Sequence, residues 1–131
     1  MIGDLHVHTT HSDGSQSPLE ALAAAASRGL DYVGFVDHDT TAGSAEAVSI
    51  GLRLGVFVIP GVEISAWDPS RERKVHILGY NYRLPAPHIE ALVTPIREAR
   101  TANTLRQIEE VRAAGYAITE EAVRAFAPGG C

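Results

Sequence analysis

Residues 4–14 read Asp4-Leu5-His6-Val7-His8-Thr9-Thr10-His11-Ser12-Asp13-Gly14, and the layout of this stretch decides how the chain is read. In an extended strand, side chains at i and i+2 point to the same side. His6 and His8 therefore converge as a pair of imidazoles, an arrangement suited to Zn, Mn or Fe. Ser12 and Gly14 mark a turn around Asp13, so a hard oxygen donor can swing back to the same pocket. Six histidines in 131 residues are no excess, but three of them fall within six positions here. A solvated polar N-terminus is the plain alternative, and it leaves that clustering unexplained.

Working outward, strand and helix signals alternate. Ile2 to Val7 reads as a short strand. Ser17-Pro18 followed by Leu19-Glu20-Ala21-Leu22 starts a helix, with serine at the cap and proline in the first turn. This Ala-rich helix runs to Arg28, and Gly29 stops it. Tyr32 to Val36 is a second strand, apolar enough to be covered on both faces. A second helix fits Ser44–Leu54, ended by Gly55. A third strand spans Val56–Ser65, interrupted by Pro60-Gly61, and a fourth spans Val75–Tyr82. The β-α-β-α-β order implies parallel pairing of the first three strands with right-handed crossovers. No helix separates the third and fourth, and Asp68-Pro69-Ser70 is a turn signal, so that pair reads as an antiparallel hairpin. From Pro87 to Gly115, Ile89, Leu92, Val93, Ile96 and Ala99, then Leu105, Ile108 and Val111, recur at helical spacing. Pro95 is expected to bend or divide that segment. A short helix from Glu120 to Phe126, capped by Thr119, precedes a tail of Pro128-Gly129-Gly130-Cys131.

A chain of this length holds one domain at most, by the usual ~100–200 residues per domain. It is 45% hydrophobic and 21% charged, with a formal net charge of −5 and a pI near 5.6. That balance argues against a non-specific grip on nucleic acid or anionic membrane. Cys131 is the only cysteine, so no internal disulfide forms and a reducing compartment is expected. No apolar run approaches the ~20 residues of a membrane span, and no signal segment is visible. The cytoplasm is the expected location.

Further donors sit on the other strands. His38 lies in Asp37-His38-Asp39 after the second strand, Glu63 in Gly61-Val62-Glu63 on the third, and His76 on the fourth. In parallel α/β sheets and barrels, ligands collect at the carboxyl ends of strands. A buried ionisable group is costly unless paired or metal-bound. Glu63 alone suits either a salt bridge with a buried arginine or a metal ligand, and His76 alone suits a satisfied core histidine. Across four strands together, the pattern points to metal. Ser12 and Ser65 have no visible base partner, which disfavours a serine hydrolase.

These motifs resemble the PHP (polymerase and histidinol phosphatase) superfamily of metal-dependent phosphoesterases. The resemblance rests on Asp4-Leu5-His6-Val7-His8-Thr9 with Ser12-Asp13-Gly14, on Asp37-His38-Asp39, on Gly61-Val62-Glu63 and on His76-Ile77-Leu78-Gly79-Tyr80, in that order over residues 1–80. It implies an α/β fold, the N-terminal portion of a distorted (β/α)7 barrel. It also implies two or three divalent metal ions (Zn, Mn, Fe or Mg) that activate water for phosphoester hydrolysis. By position, His6 and His8 resemble ligands of one metal and Glu63 its bridge to a second. His76 resembles a ligand of that second metal, and Asp13 and His38 ligands of a third. All six act catalytically through the metals. Asp37 and Asp39 resemble no direct ligands; they suit orienters of histidines or solvated loop charges alike.

The segment Ile96-Arg97-Glu98-Ala99-Arg100 resembles the start of a helical insertion in one branch. That branch comprises nucleoside bisphosphate phosphatases and a 5′→3′ exoribonuclease. It implies a phosphorylated small molecule, nucleotide or short oligonucleotide as partner. Arg97 and Arg100, with Arg106, suit phosphate contacts or a solvated helix face paired with Glu98, Glu109 and Glu110. The expected division is residues 1–84 as the first half of the barrel and residues 85–131 as the beginning of the insertion. A complete member also needs a His or Cys after the insertion and an Asp-x-His pair near its C-terminus. This stretch has neither, so it is expected to be part of such a domain, with an open sheet edge that favours self-association. Two other classes fit less well. One is a non-catalytic or truncated metal-binding module. The other is an amidohydrolase-type metallohydrolase, which needs a bridging lysine on a strand where this chain offers only Lys74.

Overall fold

The computed structural model of the chain describes residues 1–126; the Pro128–Cys131 tail lies outside them. The elements run β1 (Gly3–Val7), α1 (Pro18–Ser27), β2 (Tyr32–Phe35), α2 (Ser44–Leu54), β3 (Phe57–Asp68), β4 (Arg73–Tyr80), α3 (Pro87–Ala113) and α4 (Glu120–Phe126). Ser17 and Glu20 form a reciprocal capping box at the start of α1, and Pro18 occupies its first turn. Such a cap contributes about 1 kcal/mol. Gly29 beyond α1 and Gly55 at the end of α2 adopt the left-handed φ that favours glycine.

The sheet order is β1-β2-β3-β4. β1, β2 and β3 pair in parallel, and β3 pairs with β4 as an antiparallel hairpin. The β3 strand is not interrupted at Pro60-Gly61 as the sequence suggests. Its pairing with β2 ends at Phe35–Pro60 and its pairing with β4 begins at Gly61–Tyr80. The missing proline N–H thus falls where the strand changes partner. A Cβ on Gly61 would come within 2.6 Å of the Phe35 carbonyl oxygen, so only glycine allows this crossing. β4 ends at Tyr80 rather than Tyr82, because Asn81 turns to a φ of 57° and its N–H donates to the Pro60 carbonyl.

One face of the sheet carries the apolar core. Leu22 and Ala25 of α1 and Ala47 and Ile50 of α2 pack against Val33, Phe35, Val56 and Val58. The sheet also curls: the Tyr80 hydroxyl on β4 donates to the Leu5 carbonyl on β1, 2.7 Å away, tying the last strand to the first. The concave side is where His6, His8, Glu63 and His76 collect. Next to His76, α3 runs undivided for 27 residues through Pro95. The ring removes one helical donor there without ending the helix. Among the described residues, no helix is long and apolar enough to cross a membrane.

Candidate metal centre

Each donor is placed by a strand or by the turn directly after one. His6 is on β1, and His8 immediately follows it. Gly14 lets the next loop fold onto the strand end: its N–H and that of Ser12 both donate to the Thr9 carbonyl. A Cβ on Gly14 would lie 2.4 Å from the His8 carbonyl oxygen, so glycine is required for the approach that carries Asp13 inward. His38 follows β2 and bridges to Glu63 of β3, continuing the parallel pairing past the strand end. The Asp39 N–H donates to the Glu63 carbonyl. His76 stands on β4 opposite Ser65, two residue pairs from Glu63 along the ladder.

Glu63 is the hub. It is 5% exposed. Its Oε2 lies 3.1 Å from Nε2 of both His6 and His8, and 3.7 Å from Nε2 of His38. Its Oε1 lies 2.7 Å from Nδ1 of His76. The Nε2 atoms of His6 and His8 are themselves 3.1 Å apart. These three atoms form a nearly equilateral triangle. A cation with bonds of ~2.0–2.1 Å separates neighbouring ligands by ~3.3 Å in a tetrahedron or ~3.0 Å in an octahedron. The triangle therefore fits one face of the coordination shell of a small divalent ion. Two further groups of donors, each within 4.8 Å of one another, overlap with it: His8, Asp13 and His38, and then His38, Glu63 and His76. All six donors singled out in the sequence thus meet at one end of the sheet. The sharing of His8 and His38 between groups was not visible in the sequence.

Burial pulls the His38 imidazole below its usual 6.5, against the opposing pull of Glu63 and Asp13. At neutral pH its ring is neutral, as ligation requires. Burial pushes the Glu63 carboxyl up, but the hydrogen bond with His6 and the charges of His38, His76 and His6 outweigh it and hold the group below 4.5. Both folded values lie below their unfolded ones, so the unfolded chain binds more protons at acid pH. The His38 contribution is complete above about 6.5 and fades as pH falls; that of Glu63 fades further into acid. Metal-free protein is therefore expected to melt at progressively lower temperature from neutrality into the acid range. A flat profile would contradict the burial of His38 and the hold of the neighbouring histidines on Glu63.

The other candidates are placed differently. Asp37 and Asp39 neither orient histidines nor face solvent. The Asp37 carboxylate accepts the Thr9 N–H at 2.7 Å and the hydroxyls of Thr9 and Ser12 at 2.8 and 2.7 Å, pinning the loop that carries Asp13. Asp39, fully buried, accepts the Ser65 N–H and hydroxyl at 2.7 and 2.8 Å and pairs with Arg100 Nη2 at 2.6 Å. Arg97 Nη1 donates to the Asp39 carbonyl at 2.6 Å and pairs with Glu90 at 3.0 Å. Both arginines thus bind the protein itself, clamping α3 to the strand ends. Arg100 also lines a groove next to His76. Arg106 pairs along the helix with Glu110. His11 lies 3.6 Å from Glu46, apart from the donor groups.

The model of the PHP domain matches residues 4–123. The chain belongs to the PHP family. Among relatives of this PHP chain, a phosphoribosyl 1,2-cyclic phosphate 1,2-diphosphodiesterase of Eggerthella lenta is 48% identical over 121 residues, covering 92% of the chain and 46% of the relative. A 5′-3′ exoribonuclease of Haemophilus influenzae is 34% identical, covering 96% and 45%. A 3′,5′-nucleoside bisphosphate phosphatase of Chromobacterium violaceum is 36% identical, covering 87% and 39%. The chain thus spans less than half the length of these relatives. Among solved structures, a candidate metal-dependent phosphoesterase of Bifidobacterium adolescentis superposes with a TM-score of 0.86 at 33% identity, over 96% of this chain and 43% of that one. An amidohydrolase of Chromobacterium violaceum, crystallised with sulfate and no metal, gives 0.80 at 34% identity, over 90% and 41%. The fold is the N-terminal portion of the PHP α/β barrel with its sheet already curled.

Proposed function

We propose that this chain supplies the first half of the metal centre of a phosphoesterase acting on phosphorylated ribose units, such as nucleotides or short RNA ends. The observation that carries this is the triangle of His6, His8 and Glu63, with sides of 3.1 Å. His6, His8 and Glu63 would hold one divalent ion, Glu63 and His76 a second, and Asp13 and His38 a third. Such ions, when bound, lower the pKa of water, hold phosphate oxygens and neutralise charge on the leaving oxygen. The chain's own part is orientation. Glu63 fixes the imidazoles from one buried carboxylate, and Asp37 holds the loop that carries Asp13. The named substrates of the three relatives support the substrate class, since each carries phosphate on ribose.

An amidohydrolase activity is the second reading, favoured by the name of one structural neighbour. Lys74, the only lysine, is exposed on β4 and belongs to none of the donor groups, while Glu63 is shared by two of them. That favours phosphoesters. The deciding experiment compares metal-stimulated hydrolysis of a nucleoside bisphosphate, an aryl phosphate and an amide by the protein that carries this chain. Turnover of the amide alone would overturn the proposal. Arg100→Ala is expected to raise KM for the bisphosphate at least ~10-fold and much less for the aryl phosphate. An equal effect on both substrates would make the arginine purely a clamp.

A further inference from the structure

We propose that a groove leading outward from His76 is a nucleoside subsite, with a base stacked on Trp67 and a second phosphate held by Lys74; this rests on the phosphoesterase reading above. Along β3, Glu63, Ser65 and Trp67 share one face. Across the hairpin, Ser65 is opposite His76 and Trp67 is opposite Lys74. The face therefore passes from metal donors, through Ser65 and its partner Arg100, to an indole beside an ammonium. Trp67 lies two residues beyond the His76 row, ~7 Å along the strand. That is a suitable offset for a sugar joining a phosphate at the metals to a base on the ring.

The far wall comes from α3, where Ile96, Arg100 and Asn103 fall on one helix face. The groove, open to solvent and about 420 Å³ in volume, is lined by Ser65, Trp67, Lys74, His76, Arg100 and Asn103 among others. Small-molecule sites span ~300–1,000 Å³. Trp67 is 58% exposed inside this groove. Lys74 makes no ion pair among the described residues, which leaves its charge for a ligand. Aromatic stacking accepts any base, so this pairing recognises nucleotides as a class.

Trp67 is the chain's only tryptophan, so its emission reports on the groove directly. The chain, loaded with magnesium, is titrated with adenosine 3′,5′-bisphosphate and separately with ribose 5-phosphate. The bisphosphate is expected to quench emission saturably, and ribose 5-phosphate to leave it nearly unchanged. By calorimetry, Trp67→Ala and Lys74→Ala should each weaken bisphosphate binding ~10-fold, whereas Trp67→Phe should retain it. No quenching, or equal quenching by the base-free sugar phosphate, overturns the subsite. Hydrolysis of an aryl phosphate needs no base, so its metal-stimulated rate tests the parent reading alone. Turnover without a Trp67 response sinks only the groove; absence of turnover by the protein that carries this chain sinks the phosphoesterase reading itself.

Discussion

Glu63→Gln is expected to strip divalent metal from the protein while leaving its fold in place. The carboxylate contacts all four histidines of the centre: His6 and His8 at 3.1 Å, His38 at 3.7 Å and His76 at 2.7 Å. Glutamine keeps the shape but removes the negative charge, and its amide hydrogens would point at imidazole nitrogens that need a cation between them. Losing a hydrogen-bond partner behind a ligand already costs ~10–100-fold in metal affinity. Losing a ligand shared by two donor groups should cost more than the upper end of that range. Elemental analysis after dialysis against buffered metal measures the effect. The exposed His88, which belongs to no donor group, gives His88→Ala as the control. Equal metal in wild type and Glu63→Gln would show that the histidines converge for another reason.

The convergence of the candidate donors was foreshadowed in the sequence because all but the loop residue Asp13 sit just past a strand end or on a strand, where a charged or imidazole side chain has few structural uses. Local signals also mark α1, whose start and stop are written in Ser17-Pro18 and Gly29, and the end of α2 at Gly55. Local chemistry decides such features, and local chemistry is what a single sequence displays. The continuity of β3 through Pro60-Gly61 was hidden because it depends on which neighbour the strand pairs with on either side. The work of Asp37 and Asp39 was hidden for a similar reason. Their partners Thr9, Ser65 and Arg100 lie 28, 26 and 61 residues away in the chain. An arginine pair on a helix looks the same in sequence whether it waits for a phosphate or grips a buried carboxylate.

Asp39→Ala is expected to be among the most destabilising single substitutions in the chain. The carboxylate is fully buried, and its backbone holds a φ of 53°. Aspartate tolerates that left-handed conformation better than most residues with a side chain, and alanine loses that advantage. Removing the carboxylate leaves the Ser65 N–H without its acceptor and Arg100 without its counter-charge. Breaking a fully buried ion pair costs about 3–5 kcal/mol. The Arg100 side chain is 33% exposed, so water recovers part of the loss. A net cost of about 2–3 kcal/mol follows once that screening is allowed for. Urea unfolding of Asp39→Ala, Arg100→Ala and the double variant measures it. Because Asp39 lies between His38 and the α3 clamp, the cycle also measures how firmly that helix is fixed to the metal centre. The two single effects are expected to exceed the double by about 1–2 kcal/mol, since the second substitution removes a partner already lost. Strict additivity would mean that Asp39 and Arg100 stabilise the fold independently and that α3 is not held to the metal loop through this pair.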